Sequence, residues 1–206
     1  MSSRFRIEIL SENDRDNIVN LLLNSFFLEE PLAKCLDLGQ PMDFAQQLVD
    51  DALKDQCSFV IYDQQNNDFV GFCFNELLDR NHQDLICQIQ NEKIDFIFQF
   101  LNSMHKNIDL FELFQTNRLL HLLIINIRRE YRGLNLSSQL ISATKQYAKQ
   151  NDIKAIYAET TSIYSLNSFL REHFQIYHRM NYIDYDSNRL ANLHDQCQLV
   201  VHSIDK

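Results

Sequence analysis

Apolar and charged side chains alternate along the first residues of the chain. Within residues 4–10, Phe5, Ile7 and Ile9 are separated by charged residues, and a period of two residues is typical of a half-buried strand. Ser11 and the acidic residues after it are typical of a helix start. The pattern therefore predicts a strand followed by a helix.

The middle of the chain predicts a hairpin between two further helical segments. Apolar residues at helical spacing favour a helix over residues 43–55. Residues 58–62 and 69–74 have the composition of strands and are joined by a polar turn, which predicts a hairpin. Residues 91–114 again carry apolar side chains at helical spacing, and a break is expected near Asn107.

The C-terminal half predicts strands that alternate with helices. Residues 119–127 show little polar alternation, as expected for a central strand that is covered on both faces. A helix is predicted from Leu136 to Tyr147. The remaining elements are a strand at 155–159, a helix at 166–174 and strands at 176–185 and 197–203. The fold class predicted is α/β, as one domain over residues 1–206 with a mixed central sheet flanked by helices.

Length and charge limit the classes of function. A chain of 206 residues fits one domain with a substantial core. The formal net charge of −9 argues against nonspecific binding to nucleic acid or to anionic membranes. An acidic protein instead attracts cations, and amines are one class of cationic substrate. We therefore expect a small-molecule partner, with no nucleic-acid and no membrane partner.

Cysteine usage and the N-terminus bear on compartment. The chain has five cysteines, and no pair has the spacing of metal ligands. We therefore expect reduced thiols and no metal site. The first residues lack an apolar signal core, and no apolar run is long enough to span a bilayer. These features favour a cytoplasmic protein, and they leave open whether it is a monomer or a homodimer.

The most informative segment is residues 119–140, LLHLLIINIRREYRGLNLSSQL. An apolar strand ends in a basic turn, and an amphipathic helix begins directly after it. Free backbone N–H groups and positive charge converge at such a helix start, which predicts an anion site for a phosphate or pyrophosphate. Gly133, one of only three glycines, lies at this turn.

This turn resembles the acetyl-CoA signature of the GNAT superfamily of N-acetyltransferases. That signature follows a central strand and reads R/Q-x-x-G-x-G/A, and the chain has Arg132, Asn135 and Ser137 at its three defined positions. Asn135 and Ser137 replace the usual small residues, although asparagine tolerates a left-handed backbone better than most residues. The resemblance implies a GNAT-like fold and acetyl-CoA as cosubstrate.

Three other segments resemble the insect-type arylalkylamine N-acetyltransferases. Residues 26–32, FFLEEPL, resemble their F-x-x-x-E-P-L element, and residues 161–165 resemble their S/T-x-x-x-S element. The segments 165–174 and 182–185 resemble a helix that ends in Gly-Phe and a later aromatic strand, with His173 in place of the glycine. The resemblance implies direct acetyl transfer, without an acyl-enzyme, to a small primary amine of the arylalkylamine type.

The resemblance also implies which residues hold the cofactor. Backbone groups of the central strand would pair with the pantetheine arm, and the turn with the following helix start would hold the pyrophosphate. We interpret Arg128 and Arg129 as residues that only solvate the strand end. The residues implied are Ile125, Asn126, Ile127, Arg132, Gly133, Leu134, Asn135, Leu136, Ser137 and Ser138.

Four residues are candidates for catalysis. Glu30 is the general base that the resemblance implies, although Glu29 is an equal candidate on chemistry alone. Thr161 and Ser165 correspond to paired hydroxyls that bind substrate or assist proton transfer, or else they cap a helix that starts near Ser165. His121, on the strand face of Leu123, Ile125 and Ile127, corresponds to a histidine of the vertebrate enzymes and would relay a proton as a neutral imidazole.

Several alternatives stay open at this point. Many GNAT enzymes protonate the leaving thiolate with a tyrosine, where this chain has Phe169, which has no proton to donate.

Besides transfer to an arylalkylamine, a second possible function is transfer to another acceptor, which would be a polyamine, an amino sugar or a peptide N-terminus. A third possibility is a degenerate acyl-CoA-binding module, and a pure scaffold is a fourth. The aromatic residues that we assign weakly to an acceptor pocket are Phe26, Phe27, Tyr164, Tyr182 and Tyr185.

Overall fold

A seven-stranded mixed sheet lies at the centre of the computed structural model, which describes residues 3–80 and 90–204. The strand order is β1-β2-β3-β4-β5-β7-β6. Only β4 and β5 run parallel among the paired strands of the described residues. The strands are β1 (Phe5–Ile9), β2 (Phe59–Asp63), β3 (Asp68–Asp79), β4 (Arg118–Ile127), β5 (Ala155–Thr160), β6 (Gln175–Asn181) and β7 (Gln196–Ser203).

Helices pack on both faces of this sheet, as the sequence predicts. They are α1 (Arg15–Leu21), α2 (Phe27–Glu29), α3 (Pro31–Cys35), α4 (Met42–Lys54), α5 (Glu92–Ser103), α6 (Leu110–Leu113), α7 (Leu136–Gln150), α8 (Ile163–Arg171) and α9 (Tyr182–Tyr185). A π-helical turn, Leu22–Phe26, joins α1 to α2. In the described part of the chain, none of these helices has the length and apolarity needed to cross a membrane.

Side-chain caps explain where several helices begin. Asp14 accepts hydrogen bonds from the backbone N–H and the hydroxyl of Ser11 across the 3₁₀ turn Glu12–Asp14 that leads into α1. Asn91 and Asp109 accept hydrogen bonds from backbone N–H groups at the starts of α5 and α6. The predicted helical stretch 91–114 is therefore two helices. Asn107, in the turn between them, has a φ of 67°, which confirms the expected break.

Two apolar layers cover the sheet. One layer lies beneath α7 and α8 and includes Leu120, Leu140 and Phe169. The other lies beneath α1 and α4 and includes Ile18 and Phe72. Each fully buried side chain of this size contributes roughly 1.5–3 kcal/mol, so burial on both faces holds β4 firmly in the middle of the sheet.

Strands β4 and β5 separate after a short paired segment. They pair at Leu120 with Ile156 and at His121 with Tyr157. Beyond these positions both strands continue, to Ile127 and to Thr160, without pairing to each other. The backbone N–H and C=O groups on the facing edges are therefore left for another partner, as expected for a strand pair that holds an extended ligand.

A bulge in β4 corrects one prediction. Phe74 of β3 pairs with Ile124, whereas the next residue pairs with Leu122, so Leu123 is an extra residue in β4. An extra residue reverses which face the later side chains point to. Ile125 and Ile127 consequently pack toward α7, while Leu123 packs toward α1 and α4. The prediction that His121 shares a face with Ile125 and Ile127 is wrong.

Two element boundaries near the C-terminus also differ from the prediction. Helix α8 begins at Ile163 and ends at Arg171, three residues earlier at each end than expected, because Ser162 caps it. The strand predicted over 176–185 ends at Asn181, and Tyr182–Tyr185 is the short helix α9. Tyr182 and Tyr185 pack against Phe100 in the core instead of facing an acceptor pocket.

Candidate functional site

A cavity of about 860 Å³ opens between the separated ends of β4 and β5. It is bordered by the α2–α3 segment, by the turn before α7 and by α8. Most of the residues that the sequence predicted for the site line this one cavity: Glu30, Ile125, Asn126, Ile127, Arg132, Gly133, Asn135, Leu136, Ser137, Thr161 and Ser165.

Three predicted residues lie elsewhere. The side chain of Leu134 is exposed at the surface. Ser138 is buried on the core side of α7, and its hydroxyl has no hydrogen-bond partner among the described residues. His121 lines a second cavity. The roles assigned to these three residues therefore stay predictions from the resemblance. Residues 81–89, which follow β3 in the sequence, lie outside the described residues.

The turn before α7 has the backbone geometry of an anion site. Gly133 and Asn135 both have left-handed backbone angles, with φ of 80° and 59°. Asn135 thus adopts the conformation that a glycine would adopt most easily. Its side chain makes no capping hydrogen bond, so the first N–H groups of α7 stay available to an anionic ligand.

Arg132 is held by three contacts within the protein. It donates from Nε to the carbonyl oxygen of Ile127 at 2.9 Å and from a terminal nitrogen to the hydroxyl of Ser25 at 3.0 Å. Its other terminal nitrogen lies 2.6 Å from a carboxylate oxygen of Glu29. The guanidinium group therefore ties the turn to the α1–α2 segment. Arg128, by contrast, donates to the carbonyl oxygen of Phe69, which fits a residue that only covers a strand end.

The two carboxylate oxygens of Glu30 differ in their hydrogen bonding. It is the N-cap of α3, where Oε2 accepts the backbone N–H of Ala33 at 2.7 Å. Its Oε1 atom is buried and has no hydrogen-bond partner among the described residues, although the residue as a whole is partly exposed. Burial raises the pKa of this carboxyl group, and the N–H of Ala33 and the hydroxyl of Thr161 lower it in part.

Glu30 and its neighbour Glu29 differ in their contacts. Glu29 is exposed, and its carboxylate is paired with Arg132. Thr161 lies close enough to affect the Glu30 carboxyl group, yet its hydroxyl makes no hydrogen bond of good geometry to Oε1. An approaching ligand group thus has an open acceptor at Glu30 Oε1.

The hydroxyl residues Thr161, Ser162 and Ser165 follow β5. Ser162 and Ser165 cap helix α8, and Thr161 lies near Glu30. The hydroxyl of Ser162 accepts the backbone N–H of Ser165 at 3.2 Å, and the hydroxyl of Ser165 donates to the carbonyl oxygen of Ser162 at 2.9 Å. The capping residue is therefore Ser162, and Ser165 completes the capping box. The carbonyl oxygen of Thr161 accepts the hydroxyl of Tyr182 at 2.7 Å, and the Thr161 hydroxyl lies close to the Glu30 carboxyl group.

A second, larger cavity of about 1460 Å³ adjoins the first. The two cavities share wall residues that include Phe98, Leu123 and Glu159. The part next to this common wall carries His105, His121 and Tyr157. The two cavities therefore adjoin along this wall: the first contains Glu30 and the turn before α7, and the second lies between the sheet and helices α4 and α5.

Two histidines share the carboxylate of Glu159. His121 Nε2 lies 2.7 Å from one oxygen, and His105 Nε2 contacts the other. The second ring nitrogen of His121 lies 3.4 Å from the carboxylate of Glu76. The His121 ring also stacks on Tyr157, with centroids 4.4 Å apart and an interplanar angle of 7°.

These contacts determine the charge of His121. Burial lowers the pKa of His121, but Glu159 and Glu76 raise it by more, to about 10. Burial likewise raises the pKa of Glu159, and the two histidines bring it well below the usual range. His121 is therefore an imidazolium at neutral pH, and both of its N–H groups face carboxylates. These contacts oppose a role as a neutral proton relay.

Sequence reasoning did not identify Glu159, Glu76 or His105 as site residues. Glu159 follows Tyr157 by two positions on a predicted strand, and this shared face is the one signal that pointed to it. His105 comes from the turn after α5, and Glu76 from the far half of β3. Phe169 lines the first cavity and packs on Phe174 at 4.9 Å, so it offers no proton donor.

Comparison with known proteins gives the same fold. Arylalkylamine N-acetyltransferase 2 from Aedes aegypti has a TM-score of 0.88 at 24% identity, over 98% of this chain and 100% of that protein. A putative arylalkylamine N-acetyltransferase 7 from the same mosquito has a TM-score of 0.88 at 17% identity, over 98% and 88%. A polyamine N-acetyltransferase from Drosophila melanogaster has a TM-score of 0.79 at 17% identity, over 97% and 99%.

A family model identifies the chain at the level of sequence. The acetyltransferase (GNAT) family model matches residues 19–169, which is more than half of the chain. The match spans the α2–α3 segment, the central strand, the turn at Arg132 and most of helix α8, so it includes residues of all three segments that border the first cavity. The chain therefore belongs to the GNAT family of acetyltransferases and is an acyltransferase.

Proposed function

We propose that the protein transfers an acetyl group from acetyl-CoA to a small primary amine, and that the amine is of the arylalkylamine type. The proposal includes direct transfer, with Glu30 as the general base. The observation that carries it is the buried, unbonded Oε1 atom of Glu30 in the cleft between β4 and β5. A buried acceptor without a partner is costly, and an ammonium group or a water molecule would satisfy it.

The residues present fit acetyl-CoA, which supplies an activated acetyl thioester when it is bound. The unpaired edge of β4 at Ile125 to Ile127 offers backbone groups to an amide-containing arm. The left-handed turn at Gly133 and Asn135 and the uncapped start of α7 offer N–H groups to a pyrophosphate. Arg132 adds a positive charge beside them.

Glu30 accounts for the proton that the amine must lose. Its raised pKa makes the carboxylate a better proton acceptor than an exposed glutamate. Thr161, next to it, is placed to orient the attacking nitrogen or a bridging water. The acceptor nitrogen would then attack the thioester carbonyl directly, the C–S bond would break as the C–N bond forms, and CoA would leave as a thiolate that takes its proton from water, since Phe169 has none to donate.

The described cysteines support direct transfer. Burial raises the pKa of Cys57 and Cys73 to about 12, and it also raises the pKa of Cys197. A thiol with a raised pKa is a poor nucleophile because little of it is ionised. None of these three residues lines the first cavity. Their buried, free thiols also agree with a cytoplasmic location, which stays a prediction from the sequence.

The acceptor side of the cleft suits an aromatic amine. Phe26, Phe27, Phe44 and Phe98 line the first cavity, and aromatic side chains bind aromatic rings favourably. The mosquito proteins of the same fold are named as arylalkylamine N-acetyltransferases. Glu30 and Glu159 give this aromatic site the negative charge that a cationic amine needs.

A polyamine or agmatine is the second candidate acceptor. The larger cavity also carries Asp79 and Asp95, whose charges would suit an acceptor with a second cationic group. The Drosophila structure of the same fold is described as a polyamine N-acetyltransferase that forms N-acetylagmatine.

Two measurements test the proposed function. Calorimetric titration with acetyl-CoA measures cofactor binding, and release of free thiol measures turnover across a panel of arylalkylamines, polyamines, amino sugars and peptides. Binding with turnover of arylalkylamines supports the proposal. Binding without turnover of any amine would indicate a degenerate acyl-CoA-binding module, and no binding at all would remove the cofactor from the proposal.

A further inference from the structure

Glu159 is a buried carboxylate at the common wall of the two cavities, and the proposed transfer step does not use it. It lies on β5 two residues beyond Tyr157, where β5 has just separated from β4. Its side chain is only 5% exposed, yet it lines both cavities. An acceptor in either cavity therefore has this carboxylate in the wall beside it.

The surroundings of Glu159 keep it in place and keep it charged. One oxygen contacts His105 and the other lies 2.7 Å from His121. A carboxylate offers about four lone-pair sites, so these two contacts leave acceptor capacity on both oxygens. His121 in turn faces Glu76, and two carboxylates therefore flank the one imidazolium.

Glu159 and Glu30 have opposite environments within one cleft. Burial without a full set of partners raises the pKa of Glu30, whereas the two histidines lower the pKa of Glu159. When two carboxyl groups in one site have very different pKa values, one commonly exchanges protons and the other stays charged. Glu30 suits proton exchange, and Glu159 suits a fixed charge.

We propose that Glu159 binds the ammonium group of the incoming acceptor as a permanent anion, and so makes the site select cationic acceptors over neutral ones of the same shape. This inference rests on the proposed function, because it concerns the acceptor of that reaction. Glu159 takes no proton and forms no covalent bond. The ammonium proton passes to Glu30, and Glu159 sets the affinity for the protonated amine.

The test compares a cation with its neutral isostere. Binding of 2-phenylethylamine and of 2-phenylethanol is measured by calorimetry on the CoA-saturated protein, for the wild type and for Glu159→Gln, which keeps the size of the side chain. We expect the amine to bind about tenfold or more weaker to the variant, and the alcohol to bind within about twofold of its wild-type affinity, since a hydrogen bond to a charged group is the interaction removed.

Glu76→Gln is the matched control. It removes the other carboxylate that faces His121 but leaves Glu159 in place, so an effect that acts only through His121 would appear in both variants. We expect the amine-to-alcohol preference of Glu76→Gln to stay within about twofold of the wild type. An equal loss in the two variants would overturn the proposal, as would an unchanged preference in Glu159→Gln.

The wild-type protein alone also tests the inference if Glu159→Gln does not fold. Equal affinity of the wild type for 2-phenylethylamine and 2-phenylethanol would overturn it. These binding results are separate from turnover. A wild type that prefers the amine, with this preference lost in Glu159→Gln but with no release of thiol from acetyl-CoA, would contradict the proposed transferase activity and leave the role of Glu159 supported.

Discussion

His121 and Tyr157 form the last paired position between β4 and β5, and their rings stack on each other at 4.4 Å. The point where the two strands separate is thus held by a side-chain contact as well as by the backbone. Glu159, two residues farther along β5, bonds to the same histidine at 2.7 Å. The strands therefore separate at a charged junction, and Glu159 of this junction lines both cavities.

Glu30→Gln should lower the acetylation rate by roughly 100-fold, a loss typical of removing a general base. The loss should grow from alkaline toward neutral pH, where more of the acceptor arrives protonated and must be deprotonated on the enzyme, and it should shrink again below the raised pKa of Glu30. A pH–rate profile for the two proteins measures it. Calorimetry should show that acetyl-CoA affinity is retained.

Glu29→Gln serves as the neighbouring comparison and should retain the turnover number. Its exposed carboxylate is paired with Arg132, so its removal frees positive charge beside the proposed pyrophosphate site. We expect acetyl-CoA to bind a few-fold tighter, in keeping with the roughly 0.2–1 kcal/mol of an exposed ion pair. Calorimetry at low and high salt checks this, and weaker binding would show that Glu29 supports the turn instead.

His173→Gly should stabilise the protein. His173 has a φ of 65° just after α8, where the N–H of Phe174 bonds to the carbonyl oxygen of Phe169 at 3.1 Å and that of His173 to Leu170 at 3.1 Å. This arrangement is a Schellman motif, in which glycine is favoured. Removing the left-handed strain should raise the free energy of unfolding by about 0.5–1 kcal/mol.

Urea unfolding measures this gain, with His178→Gly as the control. His178 lies in β6 without a left-handed backbone, so glycine there should destabilise the protein. A gain of the same size in both variants would mean that the backbone angle of His173 is not the cause.

The junction around His121 should make stability depend on pH. The pKa of His121 is raised from 6.5 to about 10, so its contribution is complete below pH 6.5 and is lost as the pH rises toward 10. The pKa of Glu159 is lowered from 4.5, so its contribution is present above pH 4.5 and is lost as the pH falls further.

Unfolding free energies of the wild type and of His121→Asn measure this dependence. The difference between the two proteins should narrow between pH 6.5 and pH 10. A difference that stays constant over this interval would show that His121 is not charged by its carboxylate partners.

Local features of the fold followed from the sequence because each depends on neighbouring residues. Ser11 marked a helix start, alternation marked β1, and Gly133 with its basic neighbours marked a turn before a helix. The same logic placed an asparagine at a left-handed position, and the structure gives Asn135 a φ of 59°. The family resemblance supplied the order of these elements, and the residues near Arg132 and Glu30 accordingly line one cavity.

The periodicity of the sequence did not predict contacts between distant segments. The bulge at Leu123 depends on how β3 and β4 align, and it changed the face on which Ile125 and Ile127 lie. The choice between Glu29 and Glu30 needed the position of Arg132, since one carboxylate pairs with it and the other turns inward. The charged junction brings together residues from three segments: His105 from the turn after α5, His121 from β4 and Glu159 from β5. Spacing along a chain reports neighbours on one element, whereas the charge of a buried group depends on whatever the fold places against it.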